Sequence, residues 1–142
     1  MRSAGYSGTP LPAKLGIKPG QRVALLLAPR DLVLDLPPDV RLHRTLRGQA
    51  AYDVVLLFTA RAADLTRRFE GTAQRLKPAG MLWVAWPKKA SGLQRDLGEA
   101  GVRAHGLACG LVDTKICAIS ETWSGLRFVV RRRDRPGRGR AP

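Results

Sequence analysis

Cysteine is nearly absent. Cys109 and Cys117 are the only two, and no Cys-x-x-Cys spacing occurs. That excludes a disulfide scaffold and suits a reducing cytosol. Long apolar runs are absent too. No stretch approaches the ~18 apolar residues of a membrane span, and the opening MRSAGYSGTPLPAK lacks the apolar core of a signal peptide. The expectation is a cytoplasmic protein with no membrane partner. Catalytic signatures are missing as well. Ser91 and Ser124 are the exposed-looking hydroxyls, and neither sits in a nucleophile-elbow pattern. His105 and Cys109 fall four apart on a helical stretch, but a zinc site needs more ligands. His43 and Cys117 add no recognisable spacing, so no metal is expected. No internal repeat is visible.

What is present is apolar and basic. Of 142 residues, 44% are hydrophobic, enough for one domain with a real core. Lys and Arg number 25 against 11 Asp and Glu, a net charge of +14. Six of those cations, Arg131, Arg132, Arg133, Arg135, Arg138 and Arg140, crowd the last stretch with a single acid, Asp134. Most of the excess therefore belongs to the rest of the chain. Two readings of this basicity stand side by side. One is a polyanionic partner, nucleic acid first. The other is a genome composition that favours arginine.

The chain is organised around Met81–Ser91, MLWVAWPKKAS. An unbroken apolar run ends in Pro87-Lys88-Lys89, which reads as a strand buried on both faces. Arg22–Ala28 and Asp53–Phe58 read the same way. Val40–Leu46 alternates and predicts a half-exposed edge strand. Leu32–Leu36 predicts one weak helical turn, stopped by Pro37-Pro38. Thr9 before Pro10 predicts a capped short helix to about Leu15. Thr59 is read as an N-cap for a helix whose Leu65, Phe69, Ala73 and Leu76 share one face, with Arg67 and Arg68 elsewhere. Lys77-Pro78-Ala79-Gly80 reads as a turn. A second helix is marked by Leu93, Leu97, Ala100, Ala104 and Leu107, and its glycines Gly98, Gly101 and Gly106 let it lie close to a sheet. Thr114–Ser120 and Gly125–Arg132 read as an antiparallel hairpin. The division is a loop and short helix over residues 1–14, an α/β domain over 15–132, and a disordered basic tail over 133–142.

Several phrases carry a resemblance. Leu15-Gly16-Ile17-Lys18-Pro19-Gly20-Gln21-Arg22-Val23, Tyr52-Asp53-Val54-Val55 and Leu76-Lys77-Pro78-Ala79-Gly80-Met81-Leu82 resemble the entries to strands of S-adenosylmethionine-dependent methyltransferases. That resemblance runs over about Leu15–Arg131, with one strand-helix unit missing. It implies an α/β, Rossmann-like three-layer sandwich: a mostly parallel six-stranded sheet, order 2-1-3-4-6-5, with the last strand antiparallel. It also implies a cofactor loop after the first strand and an acid after the second. Here the loop is Leu27-Ala28-Pro29-Arg30-Asp31, without glycine, and Val40–Gly48 holds no acid. No tight S-adenosylmethionine binding is expected, so no cofactor is assigned. A longer set of phrases is similar to a small bacterial family known as domain of unknown function 3052. It comprises Gly5-Tyr6-Ser7-Gly8-Thr9-Pro10-Leu11, Trp86-Pro87-Lys88-Lys89-Ala90-Ser91-Gly92, and Gly110-Leu111-Val112-Asp113 with Thr122-Trp123-Ser124-Gly125-Leu126-Arg127-Phe128. That family brings no established activity.

Candidate site residues follow from the strand's polar end. Lys88, Lys89 and Ser91, with Arg127, are candidates for holding a phosphate or carboxylate, helped by free N–H groups at the next helix start. The alternative is a solvated pair ending a strand. Trp123 is the candidate stacking surface, while Trp83 and Trp86 read as core. Asp113, Lys115, Glu121 and Arg127 read as partners in salt bridges. The function expected is a non-catalytic binding domain with an anionic partner such as RNA, the tail arginines assisting. The alternative is a small-molecule or S-adenosylmethionine-using enzyme with its site at the carboxyl ends of the strands. In that reading Lys88, Lys89 and Asp113 serve as binding or acid–base groups. The oligomeric state is not readable from these residues.

Overall fold

The computed structural model describes residues 9–134. Gly5–Gly8 and the tail residues Arg135, Arg138 and Arg140 lie outside them. Six strands make one sheet: β1 (Arg22–Leu26), β2 (Arg41–His43), β3 (Tyr52–Phe58), β4 (Leu76–Pro87), β5 (Leu111–Ala118) and β6 (Trp123–Val130). Their order is β2-β1-β3-β4-β6-β5. The pairings β1–β2, β1–β3 and β3–β4 are parallel, and β6 runs antiparallel to both of its neighbours. The expected order and the expected antiparallel last strand are both observed.

The apolar runs become the strands because a run without alternation suits only a strand covered on both faces. Val54–Phe58 and Leu82–Trp86 are all buried. One face of the sheet packs Leu26, Val55, Leu57, Val84 and Phe128 against α2 (Ala62–Ala73) and α3 (Glu99–Ala108). The other packs Val23, Leu25, Leu56, Trp83 and Ile119 against α1 (Leu11–Lys14) and an irregular segment.

That segment replaces the expected helical turn at Leu32–Leu36. Leu32, Leu34 and Leu36 pack on the sheet, while Val33 between them is 82% exposed. The period is two rather than 3.6, and Pro37 explains it, since a residue before proline is pushed out of the α region.

Other boundaries move for local reasons. Thr59 is not the cap of α2. It is buried, its N–H donates to the Ala85 carbonyl at 2.9 Å, and Arg61 holds the cap position. Asp96 serves the helix instead, accepting the Ala62 N–H at 2.9 Å. Likewise Pro10, not Thr9, caps α1. The turn expected at Lys77–Gly80 is an irregularity inside β4, where the register jumps from Tyr52 opposite Leu76 to Val54 opposite Met81. A Cβ on Gly80 would lie 2.8 Å from the Tyr52 carbonyl, so only glycine fits that approach. The helix expected from Leu93 begins at Glu99, after a 3-10 turn at Lys89–Ser91 and an irregular stretch. Arg132–Asp134 form a second 3-10 turn.

Among the described residues no helix is long and apolar enough to cross a membrane.

Candidate functional site

The focal strand does end in a cationic corner. Lys88 follows Pro87, and its N–H donates to the Thr122 carbonyl at 2.8 Å. Pro87 lies opposite Trp123 in the β4–β6 ladder, so Lys88, Ser91 and Trp123 share one end of the sheet. Ser91 is committed to its own turn. Its hydroxyl donates to the Lys88 carbonyl at 2.6 Å and accepts the Leu93 N–H at 3.0 Å. The Ser91 and Gly92 N–H groups close the 3-10 turn, which leaves the Lys89 and Ala90 N–H groups at its start without a hydrogen-bond partner among the described residues. Trp123 is half-buried and meets Phe58 edge-on, centroids 5.2 Å apart. Arg127 is elsewhere. It pairs with Trp83, about 13 Å down the strand from the Pro87–Trp123 pair at ~3.3 Å per residue. Its Nε donates to Thr114 Oγ1 at 2.8 Å, and its guanidinium lies 5.8 Å from the Trp83 ring centre.

The expected ion pairs are also rearranged. Asp113 pairs with Arg103 of α3 at 2.9 Å, and Arg103 also holds Glu99 at 2.9 Å. The Arg103 guanidinium beside Asp113 keeps that carboxyl below its usual range. An acid tied down in this way is a poor proton acceptor. Among the described residues no cluster of three metal-ligating side chains occurs. His105 Nε2 and Cys109 Sγ are 3.6 Å apart, and burial raises the Cys109 thiol's pKa.

A concave feature lies two strands away, at the carboxyl ends of β1 and β2. It is a pocket of about 470 Å³ lined by Leu26 and Leu27, by Arg44–Leu46, and by Arg67, Arg68, Gly71 and Thr72 of α2. That volume is in the usual range for small-molecule sites. The topology leaves it open: residues 44–51 carry the chain from β2 to β3 without a helix, so no helix among the described residues covers that end from this connection.

A buried phenol fixes its outer wall. Tyr52 is fully buried, and its hydroxyl lies 2.6 Å from His43 Nδ1 and 3.1 Å from the Arg47 N–H. His43 and Arg47 bracket Arg44–Leu46, so one side chain pins both ends of the wall. Arg75 adds to it, donating to the Ala50 and Arg47 carbonyls at 2.9 and 2.7 Å and lying 5.9 Å from the centre of the Tyr52 ring.

The phenol accepts the Arg47 N–H, and with a neutral imidazole that carries its proton on Nε2 its own O–H donates to His43 Nδ1. Burial first, then the cations Arg47 and Arg22, lowers the His43 pKa below the ordinary 6.5. The sign follows from linkage. Below about pH 6.5 the unfolded chain takes up a proton that the folded chain refuses, so stability falls as pH falls. Urea unfolding at pH 7.5 and 5.5 checks this. His43→Gln is expected to lose less stability across that interval than the parent protein, and an equal loss removes His43 as the cause.

Two features of the pocket cost stability locally. Leu27, the residue after β1, has φ of 60° and is 54% exposed. A leucine in the left-handed region is uncommon and strained. Gly71 lies within α2, where glycine costs up to ~1 kcal/mol against alanine, and nothing lies within 4 Å of a Cβ built there. Sequence reading passed over both. Gly71 inside an amphipathic helix, next to the arginine pair, was the available signal.

Comparison with known proteins places the fold in a class. No protein-family model matches the chain, and no curated protein matches it. Solved structures do. A possible exported protein from Bordetella parapertussis aligns at TM-score 0.57 and 15% identity, over 84% of this chain and 65% of that one. The magnesium protoporphyrin IX methyltransferase of Synechocystis, solved with bound S-adenosylmethionine, aligns at 0.56 and 14%, over 84% and 74%. An S-adenosylmethionine-dependent methyltransferase from Clostridium acetobutylicum aligns at 0.54 and 10%, over 84% and 87%. The fold is therefore the Rossmann-like fold of these methyltransferases. At such identities the likeness extends to the fold alone.

The pocket does not fit that cofactor. S-adenosylmethionine carries a sulfonium, an ammonium and one carboxylate; the arginines suit only the last, and among the described residues no carboxylate lines the pocket to receive the two cations. Three arginines line it instead, and Arg44 stands just past β2, where the methyltransferase resemblance implies an acid.

Proposed function

We propose that this chain is a small-molecule-binding domain whose site is the pocket at the carboxyl ends of β1 and β2. The observation that carries the reading is convergence. A strained, exposed Leu27 and a helix-weakening Gly71 both face the same cavity of about 470 Å³. Local choices that cost stability persist where function needs them. The methyltransferase neighbours support a ligand site at this end of the sheet, because open α/β sheets bind ligands outside the carboxyl ends of their strands. The same neighbours lend nothing to a nucleic-acid partner, so the small-molecule alternative becomes the main reading. The bacterial family suggested by the longer phrases and a cytoplasmic setting, suggested by two free thiols, remain part of this proposal.

Two substitutions at Gly71 test it. Gly71→Ala is expected to stabilise the fold by up to ~1 kcal/mol, because alanine is the better helix former and meets nothing there. Gly71→Phe is expected to fold and to fill the cavity. Native mass spectrometry of protein isolated from its own cells should show a small-molecule adduct on the parent and on Gly71→Ala, but not on Gly71→Phe. An adduct retained by Gly71→Phe, or RNA carried equally by all three proteins, overturns the reading.

A further inference from the structure

The pocket's polar lining points to the class of ligand. Arg67 is held by Asp64 in an ion pair within α2. Arg44 and Arg68 are not held. Their side chains make no hydrogen bond, ion pair or ring contact to any described residue. They enter the pocket from different elements, Arg44 from the segment after β2 and Arg68 from α2. Thr72 is 3% exposed and also lines the pocket, yet its hydroxyl makes no hydrogen bond to a described residue. That hydroxyl is not sealed in the core but open at the cavity wall, where it is available to a ligand.

From this we infer that the pocket takes a phosphate-bearing small molecule, bound by Arg44 and Arg68 with Thr72 as a further donor. The inference rests on the small-molecule reading and names the ligand class for that site. Guanidinium groups suit phosphate because their planar fork matches two phosphate oxygens at once. The rest of the cavity is apolar. Leu26 belongs to the packed core, Leu46 packs against it partly buried, and the exposed Leu27 adds a third apolar wall. A ligand that joins phosphate to a flat or apolar body, as a nucleotide does, uses both halves. The charge logic is opposite to that of a sulfonium cofactor, so the two ligand classes separate in one experiment.

That experiment is calorimetric titration of the full chain with adenosine diphosphate, inorganic pyrophosphate and S-adenosylmethionine. Adenosine diphosphate is expected to bind, pyrophosphate more weakly, and S-adenosylmethionine not at all. Arg44→Gln and Arg68→Gln each weaken adenosine diphosphate binding about tenfold or more, since a hydrogen bond to a charged group is lost. Thr72→Val weakens it less. Both arginines are exposed and unpartnered, so thermal melts of their variants should match the parent. A Lys88→Gln, Lys89→Gln double variant binds as the parent does. Parent-like binding by both arginine variants overturns the inference, as does binding lost only with the lysine pair. No binding of either phosphate probe overturns it too. Binding of S-adenosylmethionine alone overturns the ligand class yet leaves the pocket reading standing, provided that Gly71→Phe abolishes it. Any probe bound equally by Gly71→Phe removes the pocket reading itself.

Discussion

Gly106→Ala is expected to destabilise the protein by roughly 3 kcal/mol, at the upper end of overpacking costs. Gly106 is buried in α3, and a Cβ built on it would lie 2.0 Å from Phe128 Cε1 and 2.4 Å from Cζ. Phe128 cannot retreat. It is fully buried in the middle of β6, and its ring already meets Phe69 edge-on with centroids 5.4 Å apart. The helix must then lift off the sheet, along with Val102, which is buried on the same face. The control is in the same helix. A Cβ on Gly101 meets only Leu97 Cδ1 at 3.6 Å, an ordinary contact. Gly101→Ala should therefore gain up to ~1 kcal/mol of helix propensity. Urea denaturation of the pair reads the contrast. If both variants move stability in the same direction, the close α3–β6 contact is not what holds α3 in place.

Trp83 carries the second large effect. It is fully buried in β4, among the largest side chains of the face covered by α1. Its Nε1–H donates to the Leu15 carbonyl at 2.9 Å, which fastens the end of α1 to the sheet. Trp83→Ala is expected to cost about 3–5 kcal/mol through cavity formation and lost burial. Trp83→Phe keeps most of the volume but leaves the Leu15 carbonyl without its donor, at a cost of about 1–3 kcal/mol. Amide exchange distinguishes the two losses. In Trp83→Phe, protection should fall most around Leu15 and Ile17, whose N–H bonds back to Pro12 at 2.9 Å. Uniform loss of protection would mean that the hydrogen bond does not anchor α1.

The sheet was legible because its signal is local. A strand buried on both faces needs an uninterrupted apolar run, and Val23–Ala28, Val54–Phe58 and Met81–Trp86 each supply one. The connection Glu121-Thr122-Trp123-Ser124 read between the last two strands, residues 119–122 in the structure, is short enough to force an antiparallel pair. Even the Gly106 contact was readable as a helix lying close to the sheet. Helix starts were less legible, because capping depended on distant partners. Asp96, thirty-odd positions along, serves the start of α2, while Thr59, a good local cap by type, is taken up by β4.

The candidate site divides in the same way. Lys88, Ser91 and Trp123 come together, since they flank one paired register. Arg127 does not join them, because alternation and register place it beside Trp83 instead. The pocket was not legible at all. Its wall is assembled from Leu26–Leu27, Arg44–Leu46 and Arg67–Thr72, three stretches that touch only once α2 has packed on the sheet. Read singly, each is bland: the end of a strand, a loop, and the polar face of a helix. What marks them as a site is their meeting, together with the hydroxyl and the two guanidinium groups left without partners among the described residues.

The central claim is the location of the site, and amide chemical-shift mapping tests it most directly. The ¹⁵N-labelled chain is titrated separately with adenosine diphosphate and with S-adenosylmethionine. For whichever binds, the account predicts shifts concentrated at residues 26–28, 44–47 and 67–72. Shifts centred on residues 88–93 and 123, or none with either compound, would contradict it.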